Sequence, residues 1–295
     1  MSFISKVNYA MLPMKYCKNW RNVLFDVYKH KPSVMVLRND VALQVVKDPI
    51  ALLKLLNRGW EIEHYEETSV ILRNQNNIKL KCRLREGLDF GHILEIFEMD
   101  EYGQSLQNAT VIDVGASTAD SSIYFATRGA RAVYGIEPMK ETYDIALNNI
   151  KINNLEDKVR LTNVALASKS GKIELKVSTR DPNANSIFPT ETVKKLGINF
   201  DSRRIVESVS LRDIMNNYNL TRVDLLKIDC EGCEYEVFRN IEDETISRID
   251  NIILEFHDGV QFLGEFLKGK GYNVTYNRST GLGLLKARRN PTLTQ

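Results

Sequence analysis

The chain has 295 residues, of which 43% are hydrophobic and 26% are charged, a composition that excludes disorder over most of its length. Its 40 basic and 38 acidic side chains leave a net charge of +2, so no strong positive field indicates a nucleic-acid or membrane partner. Neither a run of about 20 apolar residues nor the pattern of a signal peptide is present. We therefore expect a cytoplasmic protein without a membrane span or a nucleic-acid partner, with its four cysteines reduced.

Residues 1–104 have irregular patterning, and we expect them to form a cap region of helices and a hairpin over the site. Apolar spacing and turn residues predict a short helix, a hairpin around an Asn-rich turn and a second helix, at residues 50–56, 69–84 and 93–99. No motif in this region indicates a chemistry.

Residues 105–295 alternate regularly between strands and helices. The predicted strands are 111–115, 132–137, 159–163, 172–177, 205–209, 223–229, 251–256, 272–276 and 283–287. The predicted helices are 120–127, 140–153 and 261–270. Continuous apolar strands separated by helices are typical of a parallel sheet covered on both faces, so we expect a Rossmann-like, doubly wound α/β domain. The polar stretch 178–204 interrupts this alternation and is interpreted as a lid over an acceptor or as a surface loop.

Small residues follow the first strand of this domain. Gly115, Ala116, Ser117 and Ala119 let the turn pass close beneath a ligand before a helix begins. Glu137 ends the next strand about twenty residues further on, where a carboxylate can accept hydrogen bonds from both hydroxyls of a ribose. The pattern favours an adenosine-containing cofactor, and a tight turn in which Glu137 only caps the next helix is the alternative.

The identity of the cofactor depends on the glycines of this turn. Dinucleotide-binding folds use G-x-G-x-x-G, in which the middle glycine gives the pyrophosphate room. Residues 115–120 match that template only at Gly115, which favours S-adenosylmethionine because it has no pyrophosphate. A nicotinamide-dependent oxidoreductase and a cofactor-binding module without catalysis remain the alternatives.

Four stretches of the sequence resemble a known family. Val111-Ile112-Asp113-Val114-Gly115-Ala116-Ser117 and residues 133–138 resemble the first two motifs of class I S-adenosylmethionine-dependent methyltransferases. Residues 225–238 are similar to the Lys-Ile-Asp-x-Glu-Gly-x-Glu signature of FkbM-type methyltransferases, and residues 253–257 resemble that family's next strand. The resemblance covers roughly residues 90 to 288.

The resemblance implies a seven-stranded, mostly parallel sheet with a reversed C-terminal hairpin, S-adenosylmethionine as donor, and methylation of a hydroxyl on a small molecule, sugar or lipid. The family usually has asparagine and glycine where this chain has Ser117 and Ala119, which could reduce cofactor affinity. The positions that match the family's cofactor contacts are Asp113, Gly115, Ala116, Ser117, Ala119, Glu137, Pro138, Asn163, Val164, Ala165 and Asp229.

Candidate catalytic residues end two neighbouring strands, Asp229 and Glu231 after the fourth and Glu255 and His257 at the fifth. A hydroxyl acceptor benefits from a general base, for which His257 or Asp229 is the candidate. A divalent metal is the second interpretation and is not expected. In the third, Glu231 and Glu255 pair with Lys227 or with backbone amides, and positioning alone accelerates the reaction.

Cys230 and Cys233 form a C-x-x-C pair, which elsewhere marks redox chemistry or half of a zinc site. Because the sequence has no second pair of this kind, we expect small buried residues that meet by coincidence at a turn. The sequence leaves the acceptor and the oligomeric state open.

Overall fold

The computed structural model describes residues 11–103, 105–178, 185–190, 192, 195 and 197–290. The chain divides into two compact units, Met1–Gly103 and Gln104–Gln295. None of the helices formed by the described residues is both long and apolar enough to cross a bilayer.

The described part of the N-terminal unit contains short helices and two small antiparallel sheets, one of two strands and one of three. The helix Pro49–Asn57 and the hairpin of Ser69–Arg73 with Lys79–Arg83 confirm the sequence predictions. The other three strands of these sheets were not predicted. The last helix continues as a π-helical turn over Leu94–Glu98. The elements are α1 (Trp20–Tyr28), β1 (Ser33–Val36), β2 (Ala42–Val45), α2 (Pro49–Asn57), β3 (Glu61–Tyr65), β4 (Ser69–Arg73), β5 (Lys79–Arg83) and α3 (Asp89–Ile93).

The C-terminal unit alternates strands and helices as the sequence predicts. Its strands are β6 (Thr110–Val114), β7 (Ala132–Ile136), β8 (Val159–Thr162), β9 (Ala165–Leu166), β10 (Gly171–Val177), β11 (Ser202–Val209), β12 (Val223–Ile228), β13 (Ile249–Phe256), β14 (Tyr272–Tyr276) and β15 (Gly283–Arg289). Its helices are α4 (Asp120–Thr127), α5 (Lys140–Ile152), α6 (Leu211–Asn217), α7 (Cys233–Asn240), α8 (Asp243–Ser247) and α9 (Gln261–Gly269). The helices α6, α7 and α8 were not predicted because they are short and rich in polar residues.

The main sheet of the described residues has seven strands in the order β14-β15-β13-β12-β6-β7-β8. The five strands β13, β12, β6, β7 and β8 run parallel to one another, and β15 runs antiparallel to β13 and β14. This order confirms the Rossmann-like sheet with its reversed hairpin. The strands β10 and β11, which flank the polar stretch, pair with β9 in a separate small sheet.

The position of β6 in the middle of the sheet locates the candidate site. All five residues of β6 are buried, and it pairs with β12 on one side and β7 on the other. Chain order reverses across this strand, because β12 follows β6 by more than a hundred residues while β7 follows it directly. Ligands of doubly wound sheets bind at the carboxyl ends of strands beside such a switch point.

Candidate active site

The turn after β6 lies directly against the turn after β12. Gly115 has a φ of +73°, and its amide donates to the carbonyl of Ile136 at 3.0 Å. A β-carbon on Gly115 would lie 1.7 Å from the backbone oxygen of Asp229. Both the positive φ and the lack of space require glycine here. The turn that the sequence assigns to the cofactor therefore adjoins the turn after β12, which carries the candidate catalytic residues Asp229 and Glu231.

Two further residues of the β6 turn adopt the left-handed conformation without being glycine. Ser117 has a φ of +46° and Ala119 a φ of +66°, a conformation that is unfavourable for residues with a β-carbon by about 1–2 kcal/mol. Ala119 is fully buried and immediately precedes α4. The alanine at this position thus brings backbone strain in addition to a methyl group that glycine lacks.

A buried ion pair between Lys227 and Asp113 lies beside the two turns. The Lys227 ammonium lies 3.3 Å from Asp113 Oδ1 and donates to the carbonyl of Gly115 at 2.9 Å. Asp113 Oδ2 accepts from the hydroxyls of Ser121 and Ser122 at 2.7 and 2.6 Å. Burial would lower the pKa of Lys227, but the charges of Asp113 and Asp229 outweigh it and raise that pKa to about 12.

Lys227 therefore has a different role from the one considered for it in the sequence. It pairs with Asp113 and, at 3.9 Å, with Asp229, rather than with Glu231 or Glu255. The position of Lys227 in the sequence indicates this role, because a lysine inside the apolar run of a central strand is buried and needs a partner within the protein.

Glu137 lies between the turn after β6 and the start of α5. Its Oε2 accepts from the Ser117 amide at 3.2 Å, and its Oε1 accepts from the Met139 amide at 2.8 Å. Each carboxylate oxygen has two acceptor sites, so these bonds leave room for hydroxyl donors. Glu137 thus contacts the start of α5, as in the alternative interpretation, and also contacts the turn that the sequence assigns to the cofactor.

The remaining predicted cofactor positions meet at the ends of β7 and β8. The Asn163 amide donates to the carbonyls of Glu137 and Pro138 at 2.8 and 3.0 Å, which joins the two strand ends. Val164 follows Asn163 and is half-buried, and Ala165 is buried where β9 begins. Ala116 is fully buried within the turn after β6.

Four polar side chains cluster at the ends of β12 and β13, and His257 lies among them. Its Nε2 is 3.2 Å from Glu231 Oε2 and 3.9 Å from Asp229 Oδ1. Its Nδ1 contacts Glu234 Oε1 at 3.1 Å, and both His257 and Glu234 are at most 1% exposed. Glu234, in the first turn of α7, was not among the predicted site residues.

The cluster is electrostatically crowded. Burial raises the pKa of Glu231 to about 8, with Asp229 and Glu234 adding to the shift and His257 opposing it. Burial and the neighbouring Asp229 carboxyl raise the pKa of Glu255 to about 9. Burial would lower the pKa of His257, but Glu234, Glu231 and Asp229 raise it well above its ordinary value.

The C-x-x-C pair requires a correction. Cys230 and Cys233 form a disulfide, although the sequence analysis expected reduced thiols that meet by coincidence. The physical reason lies in the turn, because Glu231 at φ +55° and Gly232 at φ +112° reverse the chain. The two Cα atoms come to 5.4 Å apart, within the range that a disulfide can bridge. Cys17 and Cys82 are buried and lie outside this disulfide.

The described part of the polar stretch is attached to this cluster. The Ser186 hydroxyl donates to the carbonyl of Glu231, and the Thr190 hydroxyl donates to the carbonyl of His257 at 3.0 Å. A β-carbon on Gly232 would lie 2.2 Å from the carbonyl oxygen of Phe188. The polar head of the stretch, residues 180–184, lies outside the described residues, so its interpretation as a lid stays a prediction.

These side chains fit S-adenosylmethionine, which has two ribose hydroxyls and a positive sulfonium. The nearly buried Glu137 carboxylate is an acceptor suited to hydroxyls. The Asp229 carboxylate is a second negative group near the Gly115 turn, since the Lys227 ammonium contacts both Asp229 and the Gly115 carbonyl, and a carboxylate stabilises a cation. The side chains at 115, 116, 117 and 119 are no larger than serine and add little bulk to the turn.

Comparisons with known proteins show the family of the chain. The sequence profile of the methyltransferase FkbM domain matches residues 113–274, more than half of the chain. The chain is 26% identical over 198 residues to "Methyltransferase sdnD" of Sordaria araneosa, covering 58% of this chain and 76% of that protein. It is 24% identical over 187 residues to "Methyltransferase 1" of Beauveria bassiana (strain ARSEF 2860), covering 57% of this chain and 74% of that protein.

Among solved structures, TrmK of M. capricolum in complex with S-adenosylhomocysteine aligns with a TM-score of 0.38 and 15% identity, over 66% of this chain and 68% of that one. The family profile spans the turn after β6, Glu137 and the cluster at the ends of β12 and β13. The chain belongs to the FkbM family of S-adenosylmethionine-dependent methyltransferases.

Proposed function

We propose that this methyltransferase methylates a hydroxyl group on a small molecule, sugar or lipid. The observation that carries the proposal is the cluster of Asp229, Glu231, Glu255 and His257 at adjacent strand ends. A hydroxyl must lose its proton as the new C–O bond forms, and a group of carboxylates beside the acceptor is suited to that task.

The turn after β6 would hold the donor. Bound S-adenosylmethionine supplies an electrophilic methyl group on a sulfonium. Glu137 would accept from the ribose hydroxyls, and the Gly115 turn would fix the methionine end against Asp229. Holding donor and acceptor in line supplies a large part of the rate in such a displacement.

Asp229 is a better candidate than His257 for removing the proton. The Nδ1 of His257 contacts the buried Glu234 at 3.1 Å and its Nε2 contacts Glu231 at 3.2 Å, so both ring nitrogens already have partners in the protein. The side chain of Asp229 is 30% exposed at the end of β12, where an acceptor can reach it, whereas the side chain of His257 is only 2% exposed. His257 instead contacts Glu231 at 3.2 Å and lies 3.9 Å from Asp229.

The test is turnover with a labelled methyl donor against a panel of hydroxyl, amine and carboxylate acceptors that are otherwise alike. We expect label only in hydroxyl acceptors, as ethers that withstand mild base. Label in amines alone, or in base-labile esters, would contradict the proposal. Turnover with none of them while the donor binds would indicate a cofactor-binding module without catalysis.

Two variants separate chemistry from donor binding. Asp229→Asn is expected to lower kcat by about 100-fold or more, as loss of general-base assistance does, with a smaller change in donor affinity. Asp258→Asn is the matched control, because Asp258 makes the same charge change one residue from His257 and bonds to Thr192 instead of the cluster. Equal and small losses in both variants would favour positioning alone.

A further inference from the structure

Three side chains of the cluster bring ligand atoms to one point. Asp229, Glu231 and His257 each offer one oxygen or nitrogen, and these atoms all lie within 4.8 Å of one another. The Nε2 of His257 is 3.2 Å from Glu231 Oε2 and 3.9 Å from Asp229 Oδ1. Neighbouring ligands on a six-coordinate cation with bonds of about 2.1 Å lie about 3 Å apart, so small side-chain shifts suffice to close the site.

A second observation points to a cation independently of these distances. Glu234 is fully buried, and its Oε1 contacts His257 Nδ1 at 3.1 Å. A histidine that binds a metal usually donates its other ring nitrogen to a carboxylate, which fixes the ring and its tautomer. Glu234 holds His257 in that way, with Nε2 turned toward Glu231 and Asp229.

The backbone of the three residues is also fixed. Glu231 has a φ of +55°, a strained conformation for a residue with a β-carbon, and the disulfide Cys230–Cys233 closes the chain around it. The Ser186 hydroxyl holds the Glu231 carbonyl, and the Thr190 hydroxyl holds the His257 carbonyl. Strain that is held from several sides is typical of functional sites.

The charges in the described residues favour a cation as well. Asp229, Glu231, Glu234 and Glu255 surround His257 or adjoin it. Lys227 lies 3.9 Å from Asp229 Oδ2 but closer to Asp113 Oδ1, at 3.3 Å, so it offsets only part of this negative charge. Among the described residues, the ion pair of Glu231 is with His257 and with no lysine or arginine.

We propose that Asp229, Glu231 and His257 bind one divalent first-row transition cation at the carboxyl ends of β12 and β13. One imidazole with two carboxylates suits such a cation, of which Mn²⁺ is a suitable probe. Glu234 is the positioning residue that orients His257. The three protein ligands leave coordination positions open. In a role that rests on the proposed function, these positions would take the acceptor oxygen, and its proton would pass to the Asp229 carboxylate oxygen that the cation does not use.

The experiment measures Mn²⁺ binding to the full chain after removal of metal with a chelator, by the electron paramagnetic resonance signal of free Mn²⁺. We expect one Mn²⁺ per chain. Asp229→Asn and Glu231→Gln should each weaken the affinity more than tenfold, and Glu234→Gln, which keeps the shape but not the charge, about 10–100-fold. The control Asp258→Asn should leave the affinity unchanged.

Each outcome decides for or against the cation site. The thermal midpoint of the metal-free variants separates loss of a ligand from loss of the fold, and Glu231→Gln serves if Asp229→Asn does not fold. Absence of Mn²⁺ binding to the unaltered protein at millimolar concentration would overturn the inference, as would binding that all three variants retain.

The Mn²⁺ assay needs neither methyl donor nor acceptor, so its result can refute the cation site without refuting the proposed function. Hydroxyl methylation that a chelator does not slow, together with no Mn²⁺ binding, would remove the cation and keep the function. Mn²⁺ binding without methylation of any hydroxyl would keep the cation and remove the function.

Discussion

The turn after β6 and the turn after β12 touch through their backbones but are built from different residues. The first consists of small, uncharged side chains from Gly115 to Ala119. The second carries Asp229 and Glu231 and closes on itself through a disulfide. If the two turns hold donor and acceptor as proposed, donor recognition depends on the path of the backbone, whereas acceptor chemistry depends on the charges that the backbone brings together.

The largest expected effect comes from removing Lys227, which supports both turns. Lys227→Met leaves Asp113 buried without its cation, so we expect the free energy of unfolding to fall by about 3–5 kcal/mol in urea titrations. Lys172→Met is the control, because Lys172 is 72% exposed and its loss should change the free energy by no more than about 0.5 kcal/mol. Similar losses in both would show that the buried pair does not support the turns.

Substitution of Gly115 tests the contact between the turns directly. Gly115→Ala should lower the free energy of unfolding by about 2–4 kcal/mol, since it combines an unfavourable φ with overlap on the Asp229 carbonyl. Gly197→Ala is a matched control, because Gly197 has a φ of +74° with nothing within 4 Å of an added β-carbon. It should show only the conformational part, about 1–2 kcal/mol. Equal effects would mean that the two turns are not in contact.

Glu137 is the charged residue on which the first turn depends. Glu137→Ala should weaken S-adenosylmethionine binding by about 1.5–3 kcal/mol in calorimetric titrations, since charge-assisted hydrogen bonds to the ribose are lost. Glu141→Ala removes a carboxylate that is 63% exposed in α5 and should leave the affinity unchanged. Unchanged affinity in Glu137→Ala would show that the ribose lies elsewhere.

The smallest expected effect is a gain at Ala119. Ala119→Gly relieves a left-handed alanine but increases the freedom of the unfolded chain, so we expect a net stabilisation of about 0.5–1 kcal/mol and tighter donor binding. Ala126→Gly, inside α4, should instead destabilise by about 1 kcal/mol. Loss of stability in Ala119→Gly would contradict the strain inferred for this turn.

The order of the strands and their carboxyl ends could be predicted because apolar runs and small-residue turns are local in sequence. The sequence therefore predicts Asp229, Glu231 and His257 at neighbouring strand ends, and in the structure one polar atom of each lies within 4.8 Å of the others. The strand β3 was missed because its residues are mostly exposed and mostly polar. Without a continuous apolar run, a strand is not visible in the pattern.

Glu234 and the disulfide could not be predicted for a different reason. Both depend on the left-handed conformation of Glu231, which aims the first turn of α7 back at β13 and brings Cys230 to Cys233. Only glycine signals such a conformation reliably in a sequence. Lys227 had a visible signal in its buried strand, but its partner Asp113 is 114 residues away and adjoins it only through the parallel pairing of β12 with β6.

The contact between Gly115 and the Asp229 carbonyl limits how this enzyme can diverge. Because backbone meets backbone there, side-chain exchanges elsewhere do not set the distance between the two turns. If the two turns hold donor and acceptor as proposed, a change of acceptor would require changes in residues around the cluster, such as Phe188 and Thr190, and not in this contact. The same holds for laboratory evolution, in which libraries that vary position 115 are expected to return glycine.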